Sequence, residues 1–478
     1  SLSHKLNSTL KYFALLSCIY IAFSACRKES FTTTESVVVN TDTLWFDTVF
    51  TKVKDRTPIS VNKQILVYNP SKESIRTSIR LGGGLNSHFR LNVDGEPGYA
   101  FQDIEIFPED SIFLFVEVHP DPNNNSPEFN PLIIRDSLLF STNGNESKTM
   151  LIGWGQDAHY IFRDSIEADT TWANNRLPIV VYGYCYVKPD VKLTIEKGMK
   201  VHFSPRSWLF VEGELAINGT KEEPVLMQGD RLQPQWEERA GQWGGVWISY
   251  PSYGSTIAHA IIKNGTVGVY CDSTAGRDGE RNITLKKTMI RNMSFDGISG
   301  KGSTIYAENC VSMNCGRFGF LANQGGDYTL YHNTFYTDGR DFSRQEPTFA
   351  YLNIRRDPIT GAALETYPIR FSFLNNIVDG INQDGEIVGD LDFSKVVSPS
   401  VIDYNLLRSS NDVYFGAGSN NIALDQISYV DKNNYNLDLD TLSPAKNKAL
   451  LLSPIIPQDY CDRTRDSEPD IGAHESQF

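Results

Sequence analysis

Two segments, residues 229–245 and residues 339–368, interrupt the strand pattern of the chain and are called insertions. They carry the aromatic and arginine side chains that are best suited to binding a ligand. Aromatic faces beside guanidinium groups suit a sugar ring or a protein partner, and long loops on a rigid scaffold are common sites of function. We therefore predict that both insertions form one binding surface. The alternative is that they only cover a hydrophobic flank. The residues predicted to bind are Trp236, Trp243, Arg344, Tyr351, Arg355 and Arg356.

Catalytic and metal-binding patterns are weak in this chain. Glycosidic-bond hydrolysis needs two carboxylates about 5 Å or roughly 6.5–9.5 Å apart, yet Asp272, Asp296, Asp327 and Asp338 fall at different points of the repeats described next. The eight histidines show no HxxxH or HExxH spacing, which zinc sites on helices use. The sequence thus predicts no catalytic residue, metal ligand or cofactor, although a lyase with a lysine or arginine base stays open.

Internal repeats indicate the scaffold that positions these groups. The segments AIIKNGTVGVY (260–270), TMIRNMSFDGI (288–298) and CVSMNCGRFGF (310–320) share a strand, an asparagine and a glycine that leads a second strand. Repeats of this length are typical of stacked solenoid coils. We predict a structural column of side-chain amides at Asn264, Asn292 and Asn314, and one inward column formed by Ile261, Ile290 and Val311.

The segment LTIEKGMKVHFSPRSWLFVEGELAINGTKEEPVLMQGD (193–230), followed by QWGGVW (242–247), resembles the opening coils of right-handed parallel β-helices with the pectate-lyase-like fold. The segments LSPAKN (442–447) and PDIGAHE (469–475) resemble the closing part of many secreted β-helix proteins. The resemblance implies a β-helix over residues 177–440 and a C-terminal cap over its last coil at residues 441–478.

Residues 37–158 contain seven or eight short strand patterns divided by turn residues, which predicts a β-sandwich. Their position resembles that of the Ig-like sandwiches that precede β-helices in Bacteroidota envelope lipoproteins. Residues 159–176 are interpreted as a linker. The expected fold class is therefore all-β, with an N-terminal Ig-like sandwich followed by a right-handed parallel β-helix.

The N-terminal residues indicate export. A weakly basic start and a short apolar run end in Ser24-Ala25-Cys26, which is typical of a signal peptide over residues 1–25. Small residues before a cysteine resemble the lipobox of bacterial lipoproteins. This resemblance implies acylation of Cys26. The polar residues 26–36 are interpreted as a tether. By resemblance, Arg27 in place of Asp directly after Cys26 favours attachment to the outer membrane, with the membrane face left open.

The net charge and the cysteine content argue against a nucleic-acid-binding protein and against a disulfide-stabilised one. The net charge of −14 disfavours nucleic acid as a partner, and five irregularly spaced cysteines beyond Cys26 argue against a disulfide framework. Three functions stay open. The first is a non-enzymatic lipoprotein that binds glycan or an outer-membrane protein. The others are a polysaccharide lyase or glycoside hydrolase acting on an acidic polysaccharide, and a structural spacer.

Overall fold

The structure, a computed structural model, describes residues 30–51, 61–121, 131–173, 176–272, 280–382 and 384–476. Cys26 and the predicted signal peptide lie outside these ranges. The chain divides into two compact units, Ser1–Gln156 and Asp157–Phe478. Strands dominate both units, which confirms the all-β class. Helical structure in the described ranges consists of three-residue 3₁₀ turns, and no segment there is the long apolar helix that a bilayer crossing requires.

The first unit is a β-sandwich of two five-stranded sheets, in the orders β1-β3-β8-β5-β6 and β2-β10-β9-β4-β7. All pairings are antiparallel except that of β2 with β10. The described strands are β1 (Val38–Val39), β2 (Thr43–Phe50), β3 (Asn62–Tyr68), β4 (Ile75–Leu81), β5 (Phe89–Val93), β6 (Glu96–Gly98), β7 (Ala100–Ile106), β8 (Ser111–Val118), β9 (Leu132–Thr142) and β10 (Asn145–Gln156).

Alternating side chains form the sandwich core. In β4, for example, Ile75, Ile79 and Leu81 are buried while the two arginines between them are exposed. Residues of both sheets meet in one hydrophobic cluster, where the rings of Phe46 and Phe89 lie 5.3 Å apart. This period-two burial is what an antiparallel sheet with one covered face requires.

The second unit is a parallel β-helix. Its described strands are β11 (His159–Ile166), β12 (Thr170–Trp172), β13 (Ile179–Val187), β14 (Lys192–Glu196), β15 (Lys200–Phe203), β16 (Trp208–Val211), β17 (Glu214–Asn218), β18 (Val225–Gly229), β19 (Gly245–Ser249), β20 (Ser255–Ala258), β21 (Ala260–Lys263), β22 (Val269–Asp272), β23 (Ile283–Lys286), β24 (Met289–Met293), β25 (Ile298–Glu308), β26 (Val311–Cys315), β27 (Phe320–Tyr331), β28 (Thr334–Thr337), β29 (Phe349–Leu352), β30 (Ile354–Arg356), β31 (Ala363–Thr366), β32 (Ile369–Leu374), β33 (Ile377–Gly380), β34 (Ile387–Asp390), β35 (Val401–Asp403), β36 (Leu406–Leu407), β37 (Ile422–Ala423), β38 (Tyr429–Asp431) and β39 (Asn436–Leu439).

Strands of successive coils pair in parallel and build three faces. The first face contains β13, β16, β19, β22, β25, β27, β29 and β34. The second contains β12, β14, β17, β20, β23, β25, β27, β32 and β35. The third contains the first residues of β13 and then β15, β18, β21, β24, β26, β28, β33, β36 and β37. The long strands β13, β25 and β27 contribute to two faces each. Strands β11 and β12, in the stretch interpreted as a linker, pair with β13 and β14 and so belong to the coils.

The repeat glycines allow the coils to stack closely. Gly268, Gly297 and Gly319 lead strands β22, β25 and β27, as the repeats predict. A Cβ atom on Gly268 would lie 2.5 Å from the carbonyl oxygen of Gly297, and one on Gly297 would lie 2.6 Å from that of Gly319. Because real Cβ atoms do not approach so closely, only glycine fits at positions 268 and 297 unless the neighbouring coil shifts.

The prediction that Ile261, Ile290 and Val311 share one inward column is wrong, because Ile290 is out of register by one residue. Ile261 pairs with Met289, which pairs with Val311, whereas Ile290 pairs with Ile262. Since side chains alternate along a strand, a shift of one residue moves a side chain to the opposite face. Ile262 and Ile290 therefore lie in the solenoid core, and Ile261 and Val311 point to the outside of the third face.

The C-terminal segment, which comprises the described residues 424–476 after β37, covers the outside of the third face. Gly472 N–H donates to Asn375 O at 2.8 Å, and an Arg465 guanidinium N–H donates to Asn309 Oδ1 at 2.8 Å. This location differs from the expectation that residues 441–478 cap the last coil. The apolar residues that share this contact are Met289, Val311, Ile377 and Leu406 on the coils and Leu424, Leu437, Leu439, Ala445, Ile471 and Ala473 on the segment.

A buried asparagine ladder fixes the start of the third-face strands. Asn333 Nδ2–H donates to Asn376 Oδ1, Asn376 donates to Asn405, and Asn405 donates to Asn421, each at 3.0 Å. The same amides bond the backbone, since Asn376 Oδ1 accepts from Asn333 N–H and Asn376 Nδ2–H donates to Leu330 O. The ladder thus supplies partners for backbone groups that the bend removes from the strand pairing.

We predict that Asn376→Leu lowers the free energy of unfolding by about 3 kcal/mol, because it leaves buried backbone groups of Asn333 and Leu330 unpaired. Calorimetric melting of the full chain measures the change. Asn420→Leu, at an exposed asparagine of the same unit, is the matched control and should change stability by about 0.5 kcal/mol or less. Equal melting of both variants would show that the ladder is not stabilising.

Candidate functional site

Six aromatic side chains line the outward side of the first face, and we call them the aromatic ladder: Tyr184, Tyr186, Trp208, Phe210, Trp247 and Tyr270. Strand pairing sets their positions, because Tyr186 pairs with Phe210, Phe210 with Trp247 and Trp247 with Tyr270. Tyr184 and Trp208 form a second, shorter column beside them. Alternate residues of the same strands point inward to the core, so the rings must point outward.

Ring spacing follows the distance between coils. The centroids of Phe210 and Trp247 lie 5.5 Å apart, and those of Trp247 and Tyr270 lie 5.1 Å apart, close to the strand separation of about 4.8 Å. Trp208 stacks on Phe210 at 5.9 Å and meets Trp247 at 5.7 Å. Tyr184 is exposed, and the other five rings are partly buried. The result is a continuous, partly exposed aromatic surface across four coils.

A glycine pair positions Trp208. A Cβ atom on Gly244 would lie 2.1 Å from the indole ring of Trp208, so the indole lies directly against the backbone there. Gly245, the register partner of Trp208, has a φ of +145° that L side chains rarely adopt. Gly244 and Gly245 therefore leave the space that the Trp208 ring occupies against the backbone.

Polar groups line one edge of the aromatic ladder. The hydroxyl of Tyr186 donates to Glu212 Oε2 at 2.5 Å, and this hydrogen bond is the first cause that raises the pKa of Tyr186 to about 12. Burial, followed by the charge of Asp272, raises the pKa of Tyr270 to about 12. Both tyrosines are therefore neutral hydroxyl groups at neutral pH. Lys301 belongs to the next coil, and its Nζ atom lies 3.8 Å from Asp272 Oδ1.

The predicted residues of the first insertion do not form an exposed pair. Trp243 is 1% exposed, stacks on Phe203 at 4.1 Å and donates its indole N–H to Lys263 O. The prediction that it binds at the surface is wrong, because its ring fills the solenoid core. Trp236 is partly exposed in a 3₁₀ turn, with the guanidinium of Arg231 4.0 Å from its ring centroid.

The predicted residues of the second insertion are also separated. Tyr351 is 5% exposed, packs against Phe371 and Phe373, and shares a hydroxyl hydrogen bond of 3.1 Å with Tyr414. Its strand β29 continues the first face, and its partner Ala322 also points inward. The prediction of a partly exposed Tyr351 is therefore wrong.

The three arginines of this insertion differ in environment. The Arg344 side chain is fully buried, 3.5 Å from Glu386, and donates to Arg317 O at 3.2 Å, so it holds the insertion against the coils. Arg355 and Arg356 lie on the exposed hairpin of β30 and β31. Their carboxylate partners are Glu365 at 3.3 Å and Asp390 at 2.6 Å. The structure thus brings no predicted aromatic residue and arginine together as an exposed binding surface.

The predicted asparagine column lies at a left-handed bend, where Asn264, Asn292 and Asn314 have φ values of 67°, 55° and 53°. Asparagine tolerates this conformation better than most residues. Asn314 Nδ2–H donates to Asn292 Oδ1 at 2.7 Å, whereas Asn264 Nδ2–H donates to Glu237 O. Within this column one side-chain hydrogen bond joins two neighbouring asparagines. The continuous amide ladder lies instead at the bend before the third face.

A groove of about 840 Å³ lies between the second face and residues 450–457. Its polar groups bond each other, since Tyr306 donates to Glu308, Lys286 lies 2.9 Å from Glu308 and the guanidinium of Arg281 lies 4.0 Å from the Tyr306 ring centroid. A polar ligand in the groove would have to replace these hydrogen bonds and the ion pair. The aromatic ladder offers apolar rings that require no such exchange, so it is the stronger candidate site.

Comparisons with known proteins leave the family open. No family model matches the chain, and no curated protein matches it. A family 123 glycoside hydrolase from Clostridium perfringens is similar at 7% identity over 27% of this chain and 30% of that chain, with a TM-score of 0.19. PapD-like domain 7 of human CEP192 gives 9% identity over 28% of this chain and 94% of that chain, with a TM-score of 0.18.

The CooA pilin subunit from enterotoxigenic Escherichia coli is similar at 6% identity over 25% of this chain and 97% of that chain, with a TM-score of 0.18. At these scores the likenesses carry no conclusion about fold or activity. The candidate site therefore depends on the geometry of the chain itself.

Proposed function

We propose that this protein is a lipid-anchored envelope protein that binds a neutral glycan through the aromatic ladder. The observation that carries the proposal is the column of partly exposed rings in register on successive coils. Sugar rings present apolar C–H faces, and the π face of an aromatic ring carries the negative side of its quadrupole. Coils spaced about 4.8 Å apart repeat this contact along an extended chain of sugars.

A neutral glycan fits the charges better than an acidic one. The chain carries a net charge of −14, and removal of residues 1–25, with two lysines and no acids, would make it −16. Glu212 lies at the edge of the aromatic ladder, and Asp272 is paired with Lys301. A polyanion would meet repulsion from this surface.

The polar contacts at the ladder favour binding over bond cleavage. Glu212 is occupied by the hydroxyl of Tyr186, and Asp272 by Tyr270 and Lys301. Hydrolysis would need an acid and a base free to reach the glycosidic oxygen and a water molecule. This supports a non-enzymatic role at the ladder.

We predict that Trp208→Ala and Trp247→Ala each weaken glycan binding by about 1–3 kcal/mol, as loss of a central aromatic contact does. The full chain in mild detergent is titrated calorimetrically with neutral and acidic polysaccharides, and near-ultraviolet circular dichroism checks the fold. Trp236→Ala, at a partly exposed tryptophan outside the ladder, is the matched control and should bind normally. Wild-type protein that binds no neutral polysaccharide would contradict the proposal.

The lipid anchor is supported by the Ser24-Ala25-Cys26 sequence after a short apolar run. Two acyl chains give stable attachment where one is marginal. We predict that Cys26→Ala moves the protein from the membrane fraction to the soluble fraction or blocks its maturation. Cell fractionation with metabolic labelling by a fatty acid measures this, and Cys18→Ala is the control within the same apolar run. Retention and labelling of the Cys26→Ala protein would exclude the anchor.

A further inference from the structure

Three residues of the C-terminal segment bring together metal-binding side chains that neither the solenoid packing nor glycan binding uses. One ligand atom each from Asp438, Cys461 and His474 lies within 4.8 Å of the other two. Asp438 lies on β39, while Cys461 and His474 lie in the irregular part of the segment. Cys461 is a free thiol. Carboxylate, thiolate and imidazole are all ligands of divalent transition metals.

The imidazole of His474 supplies a second, independent observation. His474 is 3% exposed, and among the described residues its Nδ1 atom has no hydrogen-bond partner. A buried polar atom without a partner costs free energy, and the ring is held by its contact with Tyr460 at a centroid distance of 5.2 Å.

We propose that Asp438, Cys461 and His474 bind one divalent transition-metal ion, for which Zn²⁺ is the best match, and that this ion fastens the C-terminal segment together. Zinc accepts sulfur, nitrogen and oxygen ligands in tetrahedral geometry, with three protein ligands and a water molecule as an established arrangement. The site is independent of the aromatic ladder and of glycan binding.

A neighbouring arginine contacts one of the proposed ligands. Arg463 donates to Asp438 and, at 2.7 Å, to Asp459 Oδ2, so it orients the Asp438 carboxylate as an outer-sphere partner. The carboxylate and a thiolate together neutralise the two charges of the ion. Metal binding forms the metal–sulfur bond as the thiol proton passes to solvent.

The local structure explains what the ion would contribute. Beyond β39 the described part of the segment, residues 440–476, contains no strand or helix. Its backbone is held by turns and by contacts with the third face. A metal ion that joins three points distant in sequence stabilises the folded segment, because the unfolded chain holds no preformed site.

Metal titration of the full chain in mild detergent, after removal of metals with a chelator, tests the proposal. We expect one Zn²⁺ per chain, a melting temperature that rises with Zn²⁺ concentration, and a thiolate-to-metal absorption band with Co²⁺. Cys461→Ser, His474→Gln and Asp438→Asn should each weaken Zn²⁺ affinity by more than about 100-fold, beyond the range carried by outer-sphere partners. Cys315→Ser, at a buried thiol elsewhere, is the matched control and should retain the band.

A second measurement uses the unmutated chain, so it does not depend on the folding of the variants. Cys461 is partly exposed whereas Cys185, Cys271, Cys310 and Cys315 are buried. We expect saturating Zn²⁺ to slow alkylation of Cys461 at least about tenfold, as measured by peptide mass spectrometry, and a chelator to restore the rate. Unchanged alkylation, together with the absence of the Co²⁺–thiolate band, would overturn the metal site whatever the outcome for glycan binding.

Discussion

Parallel hydrogen bonding between successive coils is the constraint on which the second unit depends. Every strand of a face takes its register from the strand of the coil before it, and side chains one residue out of register would point to the wrong side. The glycines at 268, 297 and 319 keep this register possible, because any Cβ atom there would meet a neighbouring carbonyl or side chain. The asparagine ladder serves the same end at the bend before the third face, where it pairs buried backbone groups that the turn leaves without a strand partner.

Register also produces the candidate site. A sheet whose inner side chains fill a core presents the alternate positions to the outside, so aromatic residues at equivalent points of successive strands must come together as a column. The structure accordingly forms the aromatic ladder from strands β13, β16, β19 and β22 without any loop. A surface built on strands is held more rigidly than one built on insertions, and rigidity reduces the entropy cost of binding an extended ligand.

The sequence predicted the fold class and the stacked coils, but not the role of residues 159–176, the position of the C-terminal segment or the candidate site. Repeated glycines and asparagines predicted the coils, because only residues that tolerate close contact or a left-handed bend recur there. The side on which Ile290 and Tyr351 lie could not be predicted, since each depends on pairing with a strand distant in sequence. Trp243 looked like a loop residue but fills the core beside Phe203. The aromatic ladder had a signal in the alternation of Tyr184 with Tyr186 and of Trp208 with Phe210.

The central claim is that coil register creates a glycan-binding surface at the aromatic ladder. The most direct test is a crystal structure of the protein soaked with a neutral oligosaccharide taken from the polysaccharide it binds best. The account predicts sugar rings in contact with Trp208 and Trp247, with the chain of sugars extending from coil to coil. Sugar bound against the hairpin of β30 and β31, or in the groove beside residues 450–457, with the ladder left bare, would contradict it.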